Sequence, residues 1–267
     1  MSNWHALSKE KHANAGWVSP TGYPQAKTDA IAPLLIAEMG HAMAYYPFAF
    51  APIEGGAYRL NVLMSFESET NLFVNFQSKW MVPYVPAVYR SYPFNMMQNT
   101  EGGHVLAVDV DSEFFHESAE SEDQVVLSDD GQPSDSLKPL IEFMQQRLLQ
   151  QQQTDQLVAQ LVEKNLVEEW PIELKYGPDD EDVRKLAGLY RINEKALQEL
   201  PETELSELAK SGALAIAYAQ LFSLARLKDL QTRYVQFKQQ TQQQAAPEEI
   251  DLDKLFDGDS DSDVFSF

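Results

Sequence analysis

The densest group of chemically useful side chains lies between residues 71 and 94. Aromatic residues stand on both sides of Arg90, and three prolines stiffen the segment. A proline-rich segment cannot donate a full ladder of hydrogen bonds, so it belongs at a sheet edge or in an extended wall. An arginine between rings gains cation–π attraction and offers a two-pronged donor to a carboxylate. The aromatic residues of this segment that we assign to the predicted binding set are Trp80, Tyr84, Tyr89, Tyr92 and Phe94.

Two interpretations of this segment stay open. The first is an outward-facing wall that binds a ligand, with the rings supplying contact area and Arg90 supplying charge recognition. The second is a folding corner in which Arg90 is satisfied by an internal carboxylate or carbonyl. Asn71, at the start of the segment, and Glu38, further upstream, complete the predicted binding set. Glu38 near Arg90 would form either a structural ion pair or an acid or base beside an aromatic pocket.

The patterns of known catalytic and metal sites are missing from the sequence. There is no Gly-x-Ser-x-Gly motif and no glycine-rich phosphate loop, and the chain has no cysteine. Glu38 and His41 form a Glu-x-x-His motif, but a di-iron bundle needs this motif on two helices together with two further glutamates. The group His104, Asp109, Asp111 and His116 would divide between two faces of a strand. We therefore predict no catalytic residue, no metal and no cofactor.

The charge balance restricts the partners. The net charge is −21 and the pI is near 4.5, which argues against nucleic acid and anionic membrane surfaces. The longest apolar run, Ala213 to Leu224, is too short for a bilayer span, which takes about 20 residues, so no membrane insertion is expected. We expect a cytoplasmic protein. The alternative is export to the cell surface without a cleaved signal, since Asp263 to Phe267 resembles type I secretion signals.

The N-terminal half has a mixed pattern. After an irregular lead-in over residues 1–30, the spacing of apolar residues predicts a helix over Ile31 to Tyr45. Strands are predicted at Phe48 to Ile53, Tyr58 to Phe66, Asn71 to Phe76, His104 to Val110 and Gln124 to Leu127. Residues 31–132 therefore form a mixed segment with a small, mainly antiparallel sheet.

The segment 133–246 is predicted to be helical and to pack on that sheet. Ser134 is a candidate N-cap for a first helix, and Thr154 for its continuation. Short helices are predicted at Glu194 to Leu200 and Glu202 to Lys210, with Gly212 as a stop. A buried central helix is then expected from Ala213 to Leu230. The glutamine-rich helices of the segment 133–246 could pair between two chains, which would give a homo-oligomer, or within one chain. The predicted fold class is α+β.

Residues 247–267 form an acidic tail. Residues 248–267 hold eight carboxylates and one lysine, and this composition predicts disorder. Apolar residues within the tail are candidates for docking onto a partner, while a solubilising extension is the alternative. The docking residues are Leu255, Phe256, Phe265 and Phe267.

Several motifs together resemble the SapC-like family. They are Asn-Leu-Phe-Val from Asn71, Trp80, Tyr-Val-Pro-Ala from Tyr84, Arg90, Tyr-Pro-Phe from Tyr92, Glu38, the segment 46–50, Asp-Asp-Gly-Gln-Pro-Ser from Asp129, the segment 188–194 and the segment 211–215. The resemblance covers roughly residues 20 to 235. This sequence has Asn75 to Lys79 where the family usually places a glycine before the tryptophan, and the acidic tail lies outside the resemblance.

The resemblance implies an accessory role. The family takes its name from a protein linked to bacterial surface layers. Many of its members are encoded beside flavin-dependent halogenases, cupin-like hydroxylases and TonB-dependent receptors. We therefore expect a non-enzymatic protein that holds a peptide or such a partner enzyme on the aromatic and arginine wall. The alternatives are a surface-layer-associated or exported protein, and an enzyme or essential subunit of a peptide- or protein-modification system.

Overall fold

The protein has an α+β fold, which confirms the predicted class. The computed structural model describes residues 2–100, 102–175 and 183–245, so the four predicted docking residues of the tail lie outside the described residues. Antiparallel strands dominate the N-terminal half and helices dominate the C-terminal half.

The helices and strands have the following bounds. The strands are β1 Trp4–Ala6, β2 Gly16–Trp17, β3 Ile31–Pro33, β4 Phe48–Pro52, β5 Tyr58–Leu63, β6 Phe94–Gln98, β7 His104–Asp109, β8 Phe115–His116, β9 Gln124–Val125, β10 Val167–Glu169, β11 Ile172–Lys175, β12 Val183–Leu186 and β13 Tyr190–Ile192. The helices are α1 Lys9–His12, α2 Met39–Ala42, α3 Lys138–Glu163, α4 Glu194–Gln198, α5 Glu202–Ser211, α6 Ala213–Ser223 and α7 Leu227–Ala245.

The central sheet has the strand order β10-β13-β4-β5-β3, and every pair in it is antiparallel. Phe48, Phe50, Leu60 and Val62 on its two middle strands are fully buried. Helices α3 and α6 pack against this sheet. Burial of such large side chains stabilises the fold by roughly 1.5–3 kcal/mol each.

A smaller sheet, β1-β7-β6, and the short ladder β8-β2-β9 surround a second core. Trp17, Phe94, Val108 and Phe115 pack there. Leu137 and Met144, at the beginning of α3, pack in the same core. The last turns of α3 instead enter the main core, so one helix contacts both.

Three local predictions in the N-terminal half are wrong. The predicted helix over residues 31–45 is replaced by the edge strand β3, a short turn of 3-10 helix at Ile36–Glu38 and the single-turn helix α2. Pro33 suits an edge strand, and pairing with β5 overrides the helical spacing. The predicted strand at 71–76 forms only an isolated bridge, between Val74 and Trp80. The lead-in contains β1, which pairs with β7.

The helical half differs from prediction at its caps. The hydroxyl of Ser134 donates to the backbone carbonyl of Val125 at 2.6 Å instead of capping α3. Thr154 lies inside α3, where its hydroxyl donates to the carbonyl of Gln150 and accepts from the amide of Ile36. Gly212 ends α5 with a φ of +96°, as predicted.

The predicted central helix from 213 to 230 is interrupted after Ser223 by one turn of 3-10 helix, Leu224–Arg226, before α7 begins. Its first segment is also less buried than predicted. Ile216 and Ala217 are buried, but Tyr218 and Phe222 are exposed. No single helix in the described part of the chain has the length and apolar character of a bilayer span, although Glu202–Ser211 and Ala213–Thr241, bent by 89°, reach it as a pair.

Candidate functional site

The predicted arginine faces a cleft that we call the Arg90 cleft. Its volume is about 550 Å³. Its walls come from the segment 35–41, from the loop 84–90 and from α3. The polar residues that line it are Glu38, His41, Tyr84, Arg90, Gln146, Arg147 and Gln150.

Glu38 lies at the base of the cleft and is buried, with 6% of its surface exposed. One carboxylate oxygen accepts the backbone N–H of Leu35 at 3.1 Å. The other accepts the Tyr84 hydroxyl and the backbone N–H of Ala87, both at 2.7 Å. Three donors satisfy a buried charge without a cation. Glu38 therefore joins the turn at 35–38 to the loop at 84–87. The predicted ion pair with Arg90 is wrong.

Tyr84 and Arg90 form the mouth of the cleft. The guanidinium carbon of Arg90 lies 4.8 Å from the centre of the Tyr84 ring. His41 stacks on the same ring, with centroids 5.5 Å apart. Burial, followed by the hydrogen bond to Glu38, raises the pKa of the Tyr84 hydroxyl far above its ordinary value of 10. The hydroxyl is therefore a fixed donor to the carboxylate.

Arg90 is exposed, and both its Nε and its Nη2 donate to the backbone carbonyl of Val85, at 2.8 and 2.7 Å. That arrangement holds the guanidinium against the loop. Within the described part of the chain, no carboxylate forms an ion pair with it. Its positive charge is therefore not neutralised by an ion pair with a described residue and can attract an anionic group.

Arg147 of α3 adds a second guanidinium to the cleft. Its Nη2 donates to the side-chain oxygen of Asn95 at 2.8 Å. Its Nε is buried and has no hydrogen-bond partner among the described residues. Burial lowers the pKa of Arg147, and the charge of Glu38 opposes that shift. A buried donor without an acceptor is costly, by about 1–3 kcal/mol. The Arg147 side chain as a whole is half-buried and lines the cleft, so its positive charge favours an anionic group there.

The remaining predicted site residues do not form an outward wall. Tyr89, Tyr92, Phe94 and Asn71 are all buried, so that expectation is wrong for them. The hydroxyls of Tyr89 and Tyr92 donate to Asp29 and Asp109, both acceptors within the fold. Aromatic side chains bury large areas, and their hydroxyls are satisfied internally when the rings enter a core.

Asn71 and Trp80 also have internal partners. The Asn71 amide donates to the carbonyl of Ala26 at 2.9 Å, and its oxygen accepts the N–H of Phe73. Trp80 is half-buried, and its indole N–H donates to the hydroxyl of Tyr46 at 2.7 Å. Of the predicted binding set, the structure therefore brings Glu38, Tyr84 and Arg90 together at one cleft.

The sequence did not reveal the contribution of α3. Arg147 stands beside the apolar positions 144 and 148 of that helix, where a solvated charge is less expected. That local anomaly is the one signal that could have singled it out. Its distance in sequence from Arg90 gives no hint that both line one cleft.

The other polar groups considered from the sequence lie apart from the cleft. Asp109 accepts hydrogen bonds from the backbone of Asn3 and from Tyr92, and His116 pairs with Asp123 at 2.7 Å. Over the described residues, no three His, Asp or Glu side chains are placed to hold a metal ion.

Comparison with known proteins identifies the family of this chain. The family model described as SapC matches residues 7–230, which include the central sheet, the Arg90 cleft and helices α1 to α6, but not strand β1 or most of α7. No curated protein and no solved structure matches the chain. A match over most of the chain assigns the family. The chain therefore belongs to the SapC family.

Proposed function

We propose that this chain is a non-enzymatic binding protein that holds a carboxylate-bearing segment of a peptide or protein in the Arg90 cleft. The observation that carries the proposal is the pair of guanidinium groups that line the cleft, with Arg90 exposed and Arg147 half-buried. Arginine forks match the geometry of carboxylates.

The electrostatics of the cleft support an anionic ligand. Two cations face one carboxylate, and three donors already satisfy that carboxylate. The whole chain carries −21, so a cleft lined by two arginines and one carboxylate contrasts with the net charge of the protein. A volume near 550 Å³ lies within the range of ordinary ligand pockets and holds a few side chains of an extended peptide.

The same geometry argues for binding over acid–base catalysis. A general base needs a free lone pair directed at its substrate. Glu38 already receives hydrogen bonds on both oxygens, and Tyr84 directs its proton to Glu38. His41 stacks on the Tyr84 ring, and no second protein group in the described chain orients it as a base.

The resemblance supports a partner from a modification system, such as a flavin-dependent halogenase or a cupin-like hydroxylase, and we place the interaction in the cytoplasm. A protein partner would present an Asp, a Glu or a chain terminus to the cleft. These details of partner and location are part of the proposal.

The test uses fluorescent acidic octapeptides, each matched with a copy in which Asn and Gln replace Asp and Glu. Anisotropy should show binding of the acidic set and at least tenfold weaker binding of the amide set. Arg90→Gln should weaken binding about tenfold or more, since hydrogen bonds to charged groups contribute roughly 1.5–3 kcal/mol. Arg147→Lys keeps the charge but removes the fork, and it should also weaken binding.

The matched control is Arg226→Gln. Arg226 is a surface arginine that pairs with Asp229 outside the cleft. It should bind the peptides as the unmodified protein does. Equal binding of acidic and amide peptides, or full affinity in folded Arg90→Gln protein, would reject the proposal.

A further inference from the structure

A second concave surface, separate from the Arg90 cleft, includes the loop that follows Asn71. We call it the α7 groove. It is a cavity of about 330 Å³ between the segment 69–81 and α7. Phe76 is 55% exposed and Met81 is 47% exposed at its edge. The ring of Phe76 stacks on that of Phe237, with centroids 6.4 Å apart. Exposed apolar side chains gathered at one concavity indicate a surface that another segment covers.

The groove is also cationic. Arg233 and Lys27 line it together with one acidic residue, Glu69. The guanidinium of Arg233 lies 4.8 Å from the centre of the Phe73 ring and has no ion-pair partner among the described residues. Lys27 donates to the backbone carbonyl of Phe76 at 3.2 Å. The groove therefore combines apolar contact area with unneutralised positive charge, and it fits an acidic segment that contains large apolar residues.

We propose that residues 248–267 of the same chain occupy the α7 groove. This segment has the complementary composition, with eight carboxylates, one lysine and interspersed Leu and Phe residues. Phe237 and Gln240 of α7 line the groove, and the segment begins three residues after the last residue of that helix. The segment is therefore tethered close to its binding surface. Tethering of this kind gives effective concentrations in the millimolar range. At about 3.3–3.6 Å per extended residue, the segment is long enough to fold back along α7.

The segment fits the α7 groove better than the Arg90 cleft. Phe76 and Met81 belong to the α7 groove, whereas no large, exposed apolar side chain of the described chain lines the Arg90 cleft. Phenylalanine rings of the segment would gain contact area only in the groove. The two proposals therefore use different surfaces and fail independently.

The experiment measures distances in the full chain, which has no native cysteine. Gln239→Cys on α7 and Ser262→Cys in the segment are labelled with nitroxides, and pulsed electron spin resonance gives their distance distribution. We expect a short, narrow distribution that keeps its shape when the labelled protein is diluted with unlabelled protein. Because the contact is partly electrostatic, it should broaden at about 1 M salt, where the Debye length falls to roughly 3 Å.

Two variants in the labelled background sharpen the test. Arg233→Glu reverses the groove charge and should abolish most of the narrow component. Phe265→Ser with Phe267→Ser should do the same without touching the described fold. Arg226→Glu is the matched control and should leave the distribution unchanged.

Three results would overturn the proposal. The first is a broad distribution that neither Arg233→Glu nor the double phenylalanine variant alters. The second is loss of the narrow component on dilution with unlabelled chain, which means contact between copies. The third is loss of the narrow component in Arg90→Glu but not in Arg233→Glu, which means that the segment lies in the Arg90 cleft.

Discussion

At the scale of single residues, Glu38 has the most consequential environment. It is a buried carboxylate whose charge is held by two backbone N–H groups and one phenol. Removing one donor leaves part of that charge unsatisfied, which costs more than the hydrogen bond itself contributes. The side chain therefore fixes the loop that carries Arg90.

We expect Tyr84→Phe to lower the free energy of unfolding by about 1–3 kcal/mol, because the Glu38 carboxylate loses its phenol donor. Urea denaturation measures the change. Tyr45→Phe is the matched control, since the Tyr45 hydroxyl forms no hydrogen bond with the described residues. Equal stability of Tyr84→Phe and the unmodified protein would show that Glu38 does not depend on this donor.

His116 and Asp123 give a pH-dependent contact. The hydrogen bond that the His116 ring donates to the Asp123 carboxylate raises the pKa of His116 above its ordinary value of 6.5. The hydrogen bond donated by the backbone N–H of Glu120, followed by that from His116, lowers the pKa of Asp123 below 3.8. The contribution of His116 to the free energy of unfolding is fully present below pH 6.5 and is lost as the pH rises through the raised pKa of His116. The contribution of Asp123 to the free energy of unfolding is present above pH 3.8 and is lost as the pH falls through the lowered pKa of Asp123.

The pair should therefore stabilise the protein most between about pH 4 and 6.5. NMR titration should give a His116 pKa above 6.5 in the unmodified protein and a lower value in Asp123→Asn. The stability difference between these two proteins should shrink as the pH rises above neutrality. A His116 pKa that is unchanged in Asp123→Asn would contradict the assignment.

The elements show how far local pattern predicts this fold. Strands β4, β5 and β7 are close to prediction because alternating or continuous apolar runs and flanking glycines are local signals. The edge strand β3 was missed, since its conformation depends on pairing with β5. The candidate site likewise combines residues that local sequence predicts with a residue that only long-range packing brings to it. Tyr84 and Arg90 are neighbours in sequence, whereas Arg147 reaches the cleft only through the packing of α3.

The short strand β2 depends on a glycine at its first position. A Cβ on Gly16 would lie 2.6 Å from the Cβ of Asp123 and 2.8 Å from that of Ala119. We expect Gly16→Ala to destabilise the protein by about 1–3 kcal/mol, because those side chains must move apart. Thermal denaturation measures the loss. Gly40→Ala is the control, since nothing lies within 4 Å of a Cβ at that position.

At the scale of the whole molecule, α3 connects the two cores. It has 26 residues and is about 39 Å long. Leu137 and Met144 at its start pack in the smaller core, while Leu157 and Leu161 near its end pack in the larger one. If one end of α3 loses its packing contacts, the helix is held less firmly at its other end as well. We therefore expect both cores to unfold together.

We expect Leu137→Ala and Leu161→Ala each to lower the free energy of unfolding by about 2–5 kcal/mol. Each variant should still unfold in one transition. For each variant, the unfolding curve measured by near-ultraviolet circular dichroism should coincide with the curve measured by far-ultraviolet circular dichroism. Leu149→Ala is the control, because Leu149 lies on α3 and is 62% exposed. Separate transitions in Leu137→Ala would show that the smaller core unfolds on its own.

The order of strands in the central sheet affects how the chain is made. Strand β4 pairs with β13 through Phe50 and Tyr190, which are far apart in sequence. At about 5–20 residues per second, a ribosome needs on the order of ten seconds to travel between them. During that interval one edge of the nascent sheet has no neighbour. Chaperones that shield unpaired strand edges should therefore matter more for the yield of this protein in cells than for its refolding at high dilution.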